Sequence, residues 1–312
     1  MVPNLALPDG WTFEDFCLGM YVLIDECWPH LAPALQRPGP APHCTDQELV
    51  TMAVVGECCG WQRETELVSR WAARRDLFPH QLERSRFHRR RRQLAAAINA
   101  LRLLLLAALD FALDRQCVID SLPIPVLPFA TSRRSRRHEW QIHGAAFGRV
   151  PTKGITIVGY KLLLLVTLNG LIRDFVLAPA TVAEVTVGGE LLEELHDLDV
   201  LGDKAFVSAP LHQRLTAECG VRLTPLPRRN QRSQVPATVR QTFAAARRGV
   251  ETVISQLPEQ FHIETNHART FGSLCARLLT KLTAHTLCGV LNRRLGRSDV
   301  LQIKALAFPP ST

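Results

Sequence analysis

Apolar residues along the chain recur first at helical and then at strand spacing, and this change of period divides the sequence. Trp11, Phe13, Phe16, Met20, Leu23 and Ile24 trace one face of a helix. Prolines at 38, 40 and 42 then rule out helix between Arg37 and His43, which reads as a linker. A second helix is expected from Thr45-Asp46-Gln47-Glu48, because a Thr followed three residues later by Glu can satisfy free backbone N–H groups reciprocally. Glu64 to Ala73 is a further helical segment, and Ser85 to Leu113 reads as one long helix with a basic beginning.

From Cys117 onward the apolar runs shorten and become β-favouring. Cys117 to Val126, CVIDSLPIPV, is a strand carrying a single acid, Asp120. Ile155 to Leu168 and Leu171 to Leu177 flank Asn169-Gly170, a strong short-range hairpin signal, so the two runs are expected to be antiparallel neighbours. A strand at Val200 and Leu201, a helix from Pro210 to Cys219 and a strand from Val221 to Leu226 complete a mixed α/β core. Between Thr238 and Leu257 the residues Val239, Phe243, Ala246, Val250, Val253 and Leu257 form an apolar helical stripe, with Arg240, Arg247 and Glu251 along its edge. Phe271 to Leu295 is expected to be a last long helix. The chain therefore divides into a helical domain, 1–113, and an α/β domain with C-terminal helices, 114–312.

Charge narrows the class of partner. Thirty-seven Lys and Arg against 29 Asp and Glu give a formal net charge of +8, which suits a polyanion better than an acidic small molecule. The arginines are grouped: Arg89, Arg90, Arg91 and Arg92 on the long helix, Arg133, Arg134, Arg136 and Arg137 in a polar run after the first strand, and Arg228 and Arg229 in a loop broken by proline. With Arg247 these are candidate DNA-phosphate contacts, the alternative for each being a solvated surface. Nine cysteines are scattered and odd in number, no secretory leader pattern precedes them, and no pair of CxxC knuckles occurs, so a reduced, cytoplasmic setting is expected. The longest apolar runs are shorter than a bilayer requires, and no membrane association is expected. Gly-rich nucleotide loops are absent from the sequence.

An acid at a strand end stays near the sheet yet reaches solvent, where carboxylate oxygens can share a hard cation. Asp120 and Asp203 stand in that position, and Glu251 lies on a helix. Asp174, Asp197, Asp199, Glu184, Glu190, Glu193 and Glu194 are competing acids. The strings VIDSLPIPV, GDKAFVS and RRGVETVISQL, in that order, resemble the DDE transposases of bacterial insertion sequences, most closely the 982 family. The resemblance implies an RNase H-like mixed-sheet catalytic core behind an N-terminal helical, DNA-binding domain. It places the catalytic and metal-binding acids at Asp120, Asp203 and Glu251, with Mg²⁺ or Mn²⁺ as cofactor. It further implies cleavage at insertion-sequence ends, joining of the freed 3′-hydroxyls to target DNA, and a homodimer that coordinates the terminal inverted repeats. A catalytically inactive DNA-binding descendant and a metal-dependent nuclease without strand transfer remain as alternatives.

Overall fold

A computed structural model describes residues 7–35, 39–108, 114–127, 137–150, 154–225 and 237–308, without the side chains of 137 and 237–247. The chain forms two compact units, one of residues 1–109 and 256–312, the other of residues 110–255.

The first unit is helical. Its α1 (Phe13–Leu31) begins at Thr12, whose hydroxyl accepts from the Asp15 N–H while the Asp15 carboxylate accepts from the Thr12 N–H, a reciprocal cap. The expected cap at Thr45 opens α2 (Asp46–Cys58) in the same way with Glu48. Next come α3 (Glu64–Ala72), α4 (Arg84–Gln93) and α5 (Ala95–Ala108), and after the second unit α10 (Phe271–Arg294) and α11 (Lys304–Ala307). Both α2 and α10 are buried nearly all round, as a helix must be when other helices enclose it. α10 packs on α5, α2 and α1, so the C-terminal helices, assigned from sequence to the second domain, belong to the helical unit.

The long helix expected from Ser85 to Leu113 is broken at Leu94, where ψ is 1°. The two halves have different partners. The basic α4 pairs its charges with acids of α2 and α3, whereas α5 lays an apolar face, including Ile98, Leu101 and Leu105, toward α10.

In the second unit, β1 (Gln116–Leu127), β2 (Ala146–Val150), β3 (Ile155–Thr167), β4 (Ile172–Pro179), β5 (Asp199–Gly202) and β6 (Arg222–Pro225) form one sheet. Its order is β2-β3-β1-β5-β6, with β4 also paired to β3. β3 runs antiparallel to β1, β2 and β4, while β5 and β6 run parallel to β1. The expected hairpin closes at Asn169-Gly170, where Gly170 has φ +81° and its N–H donates to the Thr167 carbonyl at 2.9 Å. The short helix α6 (Arg137–Ile142) and strand β2 have no counterpart in the sequence reading. Arg137 and His138, the end of the run read as a loop, open α6, and buried Trp140 anchors it.

The crossovers α7 (Glu184–Glu193) and α8 (Ala209–Cys219) connect β4 to β5 and β5 to β6. They cover one face of the sheet, where Ile119, Leu163, Leu165, Val187, Val200 and Phe206 form the core. α9 (Ala237–Glu259) follows β6. Four strands in antiparallel pairing, β1 to β4, continued by two parallel ones through helical crossovers make a mixed sheet consistent with the RNase H-like core that the resemblance implies. No helix among the described residues is long and apolar enough to cross a membrane.

Candidate active site

Asp120 lies inside β1, opposite Leu164 of β3, and not at a strand end as expected from sequence, because β1 continues through its pairing with β3 as far as Leu127. Side chains alternate along a strand, so the half-buried Asp120 points away from the face on which Ile119 meets α7 and α8. Its Oδ1 accepts the Ser121 N–H at 2.7 Å. The Ser121 hydroxyl donates to Glu184 Oε1 at 2.7 Å, and Lys161 Nζ lies 3.8 Å from the same oxygen. Glu184 is thus engaged beside Ser121 rather than Asp120.

Asp203 follows β5 directly and is exposed. Its Oδ1 accepts the Ala205 N–H at 2.7 Å, capping a 3₁₀ turn over Lys204–Phe206 that aims the acid off the strand end. Parallel pairing matches Gln116 with Asp199, Cys117 with Val200 and Val118 with Leu201. Asp120 and Asp203 each stand two residues beyond the last of these pairs, at equivalent positions on neighbouring strands. Asp199 stands at the opposite end of the short strand, held by Arg222 through Nε and Nη2 at 2.5 and 2.8 Å.

Glu251 is exposed on α9, between the buried Val250 and Val253 that set the helix's inward face. Near it, a Cβ built on Gly249 would lie 3.4 Å from the Leu168 carbonyl oxygen, so α9 passes close to the β3–β4 turn. Strand register brings Asp120 and Asp203 to one line. No group of three His, Cys, Asp or Glu side chains arranged to hold a metal occurs among the described residues. Of the other competing acids, Asp174 accepts the Phe175 N–H at 2.8 Å, the same local bond that Asp120 makes with Ser121, and Glu193 pairs with Arg214.

The candidate DNA contacts separate sharply. Arg91 is buried, with Nη1 3.3 Å from Glu57 and Nη2 2.7 Å from Glu64. This corrects its reading as a phosphate contact, because its guanidinium has no route to a solvent-side ligand. Arg90 is largely buried against Asp46, Nε to Oδ1 at 2.7 Å and Nη2 to Oδ2. Arg89 and Arg92 are exposed on the same helix. Arg133, Arg134, Arg136, Arg228 and Arg229 lie outside the described residues, as do the side chains of Arg137 and Arg247.

The sequence reading missed the buried charge cluster of the helical unit. Glu57 pairs with Lys281, Lys281 also donates to the Phe261 carbonyl at 2.5 Å, and Arg277 donates to the Gln62 carbonyl at 2.7 Å. Its signal was present in part: Glu57 and Lys281 are single charges inside otherwise apolar helical runs. Arg63 and Arg269, far apart in sequence, carried no such signal, yet both face a cavity shared with Arg89 and Arg92.

Residues 113–287 match the model of the family described as "Transposase DDE domain", a segment that spans more than half the chain and contains Asp120, Asp203 and Glu251. No curated protein and no solved structure matches the chain.

Proposed function

The chain belongs to the transposase DDE-domain family, and from that membership we propose that it is a DNA transposase, most like the 982 family, acting in the cytoplasm on insertion-sequence ends. The observation that carries this reading is the parallel β1–β5 register, which sets Asp120 and Asp203 at equivalent positions of adjacent strands inside the matched segment. Asp120, Asp203 and Glu251 are the proposed catalytic acids.

The donor chemistry fits a hard divalent cation: both strand acids are carboxylates, and the cap at Asp203 occupies one oxygen while leaving the second to a ligand. Asp120 and Asp203 would hold Mg²⁺ or Mn²⁺ from the sheet, with Glu251 contributing from α9. Bound there, the ions supply Lewis acidity for the attacking and leaving oxygens of in-line phosphoryl transfer. The chain's own part is positional. The β1–β3 ladder fixes Asp120, and the 3₁₀ turn fixes Asp203. No side-chain nucleophile is needed, since water cleaves the end and the resulting DNA 3′-hydroxyl attacks target DNA.

Two ends must be joined in one event, which favours a homodimer bound to the paired terminal inverted repeats. Arg89 and Arg92 are proposed DNA contacts in the helical unit. Arg133, Arg134, Arg136, Arg137, Arg228, Arg229 and Arg247 are proposed contacts nearer the acids in sequence. The test is incubation of labelled end DNA and unlabelled target DNA with Mg²⁺, resolving cleaved from joined product. Both products support the transposase. Cleavage alone indicates a nuclease, and binding with neither product indicates an inactive descendant.

A further inference from the structure

We propose that a cavity in the helical unit is a pocket for the phosphodiester backbone of DNA, a site that rests on the transposase reading and lies apart in sequence from the three acids. The cavity encloses about 660 Å³. Arg63, Arg84, Arg89, Arg92 and Arg269 line it, all five exposed and none paired with a carboxylate among the described residues. Guanidinium groups without internal partners are available to phosphate, which they bind through two parallel N–H bonds.

The backbone adds to this field. The first turns of α3, α4 and α10 all face the cavity, through Thr65, Ser85 and Ser273 respectively. Each helix start carries partial positive charge and N–H groups lacking an intrahelical acceptor. At α3 and α4 the capping positions, Arg63 and Glu83, make no side-chain cap hydrogen bond. Three positive helix ends and five arginines therefore converge on one volume, the arrangement that helix termini use to hold phosphate.

The single acid in the lining does not oppose this. Glu64 is held through Oε1 by Arg91 at 2.7 Å, by Arg277 at 3.3 Å and near His88 Nδ1 at 3.4 Å, while its Oε2 is buried without a hydrogen-bond partner among the described residues. Arg277, 5% exposed and tied to the Gln62 carbonyl, makes a fixed cationic floor rather than a mobile surface group. Arg92 is placed by α10: a Cβ on Gly272 would stand 3.0 Å from its Nη2.

A polynucleotide backbone fits better than a free nucleotide. No Phe, Tyr or Trp lines the cavity, whose aromatic groups are the small imidazoles of His88 and His267, and the arginines are spread along α4 (Arg84, Arg89 and Arg92) and across to Arg63 before α3 and Arg269 before α10, a row rather than one tight cradle. Contact with phosphates alone positions a duplex without reading its sequence.

The test uses the full-length chain and a fluorescein-labelled duplex of arbitrary sequence, with affinity followed by anisotropy across a salt series. The triple variant Arg63→Gln, Arg84→Gln, Arg269→Gln should bind at least about tenfold more weakly and lower the salt slope by about 2 to 3, near 0.9 for each phosphate that an arginine no longer neutralises. Gly272→Asp separates binding from folding. A carboxylate in the first turn of α10 favours the helix, so Tm should hold or rise while DNA affinity falls. Wild-type affinity and slope in both variants would overturn the pocket while leaving the transposase reading intact. Wild-type protein that binds no duplex would overturn both. Displacement of the duplex by AMP or inorganic phosphate as effectively as by unlabelled DNA would overturn the backbone assignment in favour of a small-anion site.

Discussion

Gly159 pairs with Pro125 across the β1–β3 ladder and lies so close to the neighbouring Ile124 that a methyl group on Gly159 would stand 2.1 Å from the Ile124 carbonyl oxygen. The contact lies beside the bulge between Pro125 and Leu127, four residues past Asp120. The obstructing atom is backbone, so no side-chain rotation relieves it. Gly159→Ala should destabilise the chain by about 1–3 kcal/mol or more, read from the urea midpoint. It should also lower DNA cleavage at temperatures where the protein stays folded, through displacement of the strand that carries Asp120. An unchanged midpoint would show that β1 and β3 are not held this tightly.

Glu57 is buried at the centre of the helical unit. Burial by itself would raise its carboxyl pKa, but Lys281, Arg91 and Arg277 outweigh it and hold the group below the ordinary glutamate value. A depressed folded pKa contributes stability above the unfolded pKa of about 4.3, and that stability is lost as pH falls through the folded value. Glu57→Gln, which leaves Lys281 and Arg91 without their shared anion, should cost about 3–5 kcal/mol at neutral pH. The gap between wild type and variant should close in acid. A pH-independent gap would contradict the ion-pair account.

His285 is wholly buried, and burial lowers its pKa to about 4. Its Nε2 lies 3.0 Å from Gln256 Oε1, while Nδ1 has no hydrogen-bond partner among the described residues. Between about pH 6.5 and pH 4 the unfolded chain binds a proton that the folded chain excludes, so stability falls as pH drops through that window, by about 3 kcal/mol in full. Denaturation curves across the window should show this slope, and His285→Gln should flatten it. Equal slopes would mean that His285 titrates normally in the fold.

Local chemistry explains which parts of the fold were legible. The Asn169-Gly170 turn and the Thr45 cap are short-range devices, and both stand where their residues indicate. The break at Leu94 was hidden because its cause is tertiary: acids on α2 and α3 draw α4 while α10 draws α5. The same cause conceals Arg91. Four consecutive arginines are equivalent in sequence, and only the placement of Glu57 and Glu64 makes one of them a core cation while Arg92 stays exposed. β2 and α6 were obscured by Gly144 and Gly148, which interrupt the alternation and periodicity of short elements. For the acids, strand patterning put Asp120 and Asp203 on or beside apolar strands, the choice of Asp203 over Asp199 came from the family resemblance, and the shared register of the two belongs to the β1–β5 pairing and has no local signature.

The central claim, that Asp120, Asp203 and Glu251 carry the chemistry, is tested most directly by single-turnover cleavage of labelled end DNA in Mg²⁺. Asp120→Asn, Asp203→Asn and Glu251→Gln should each slow cleavage by at least about 100-fold while DNA binding persists, since each removes an anionic oxygen donor. Asp199→Asn, which loses only an exposed pair with Arg222, should remain near the wild-type rate. Wild-type rates in any of the three, or loss of cleavage confined to Asp199→Asn, would contradict the assignment.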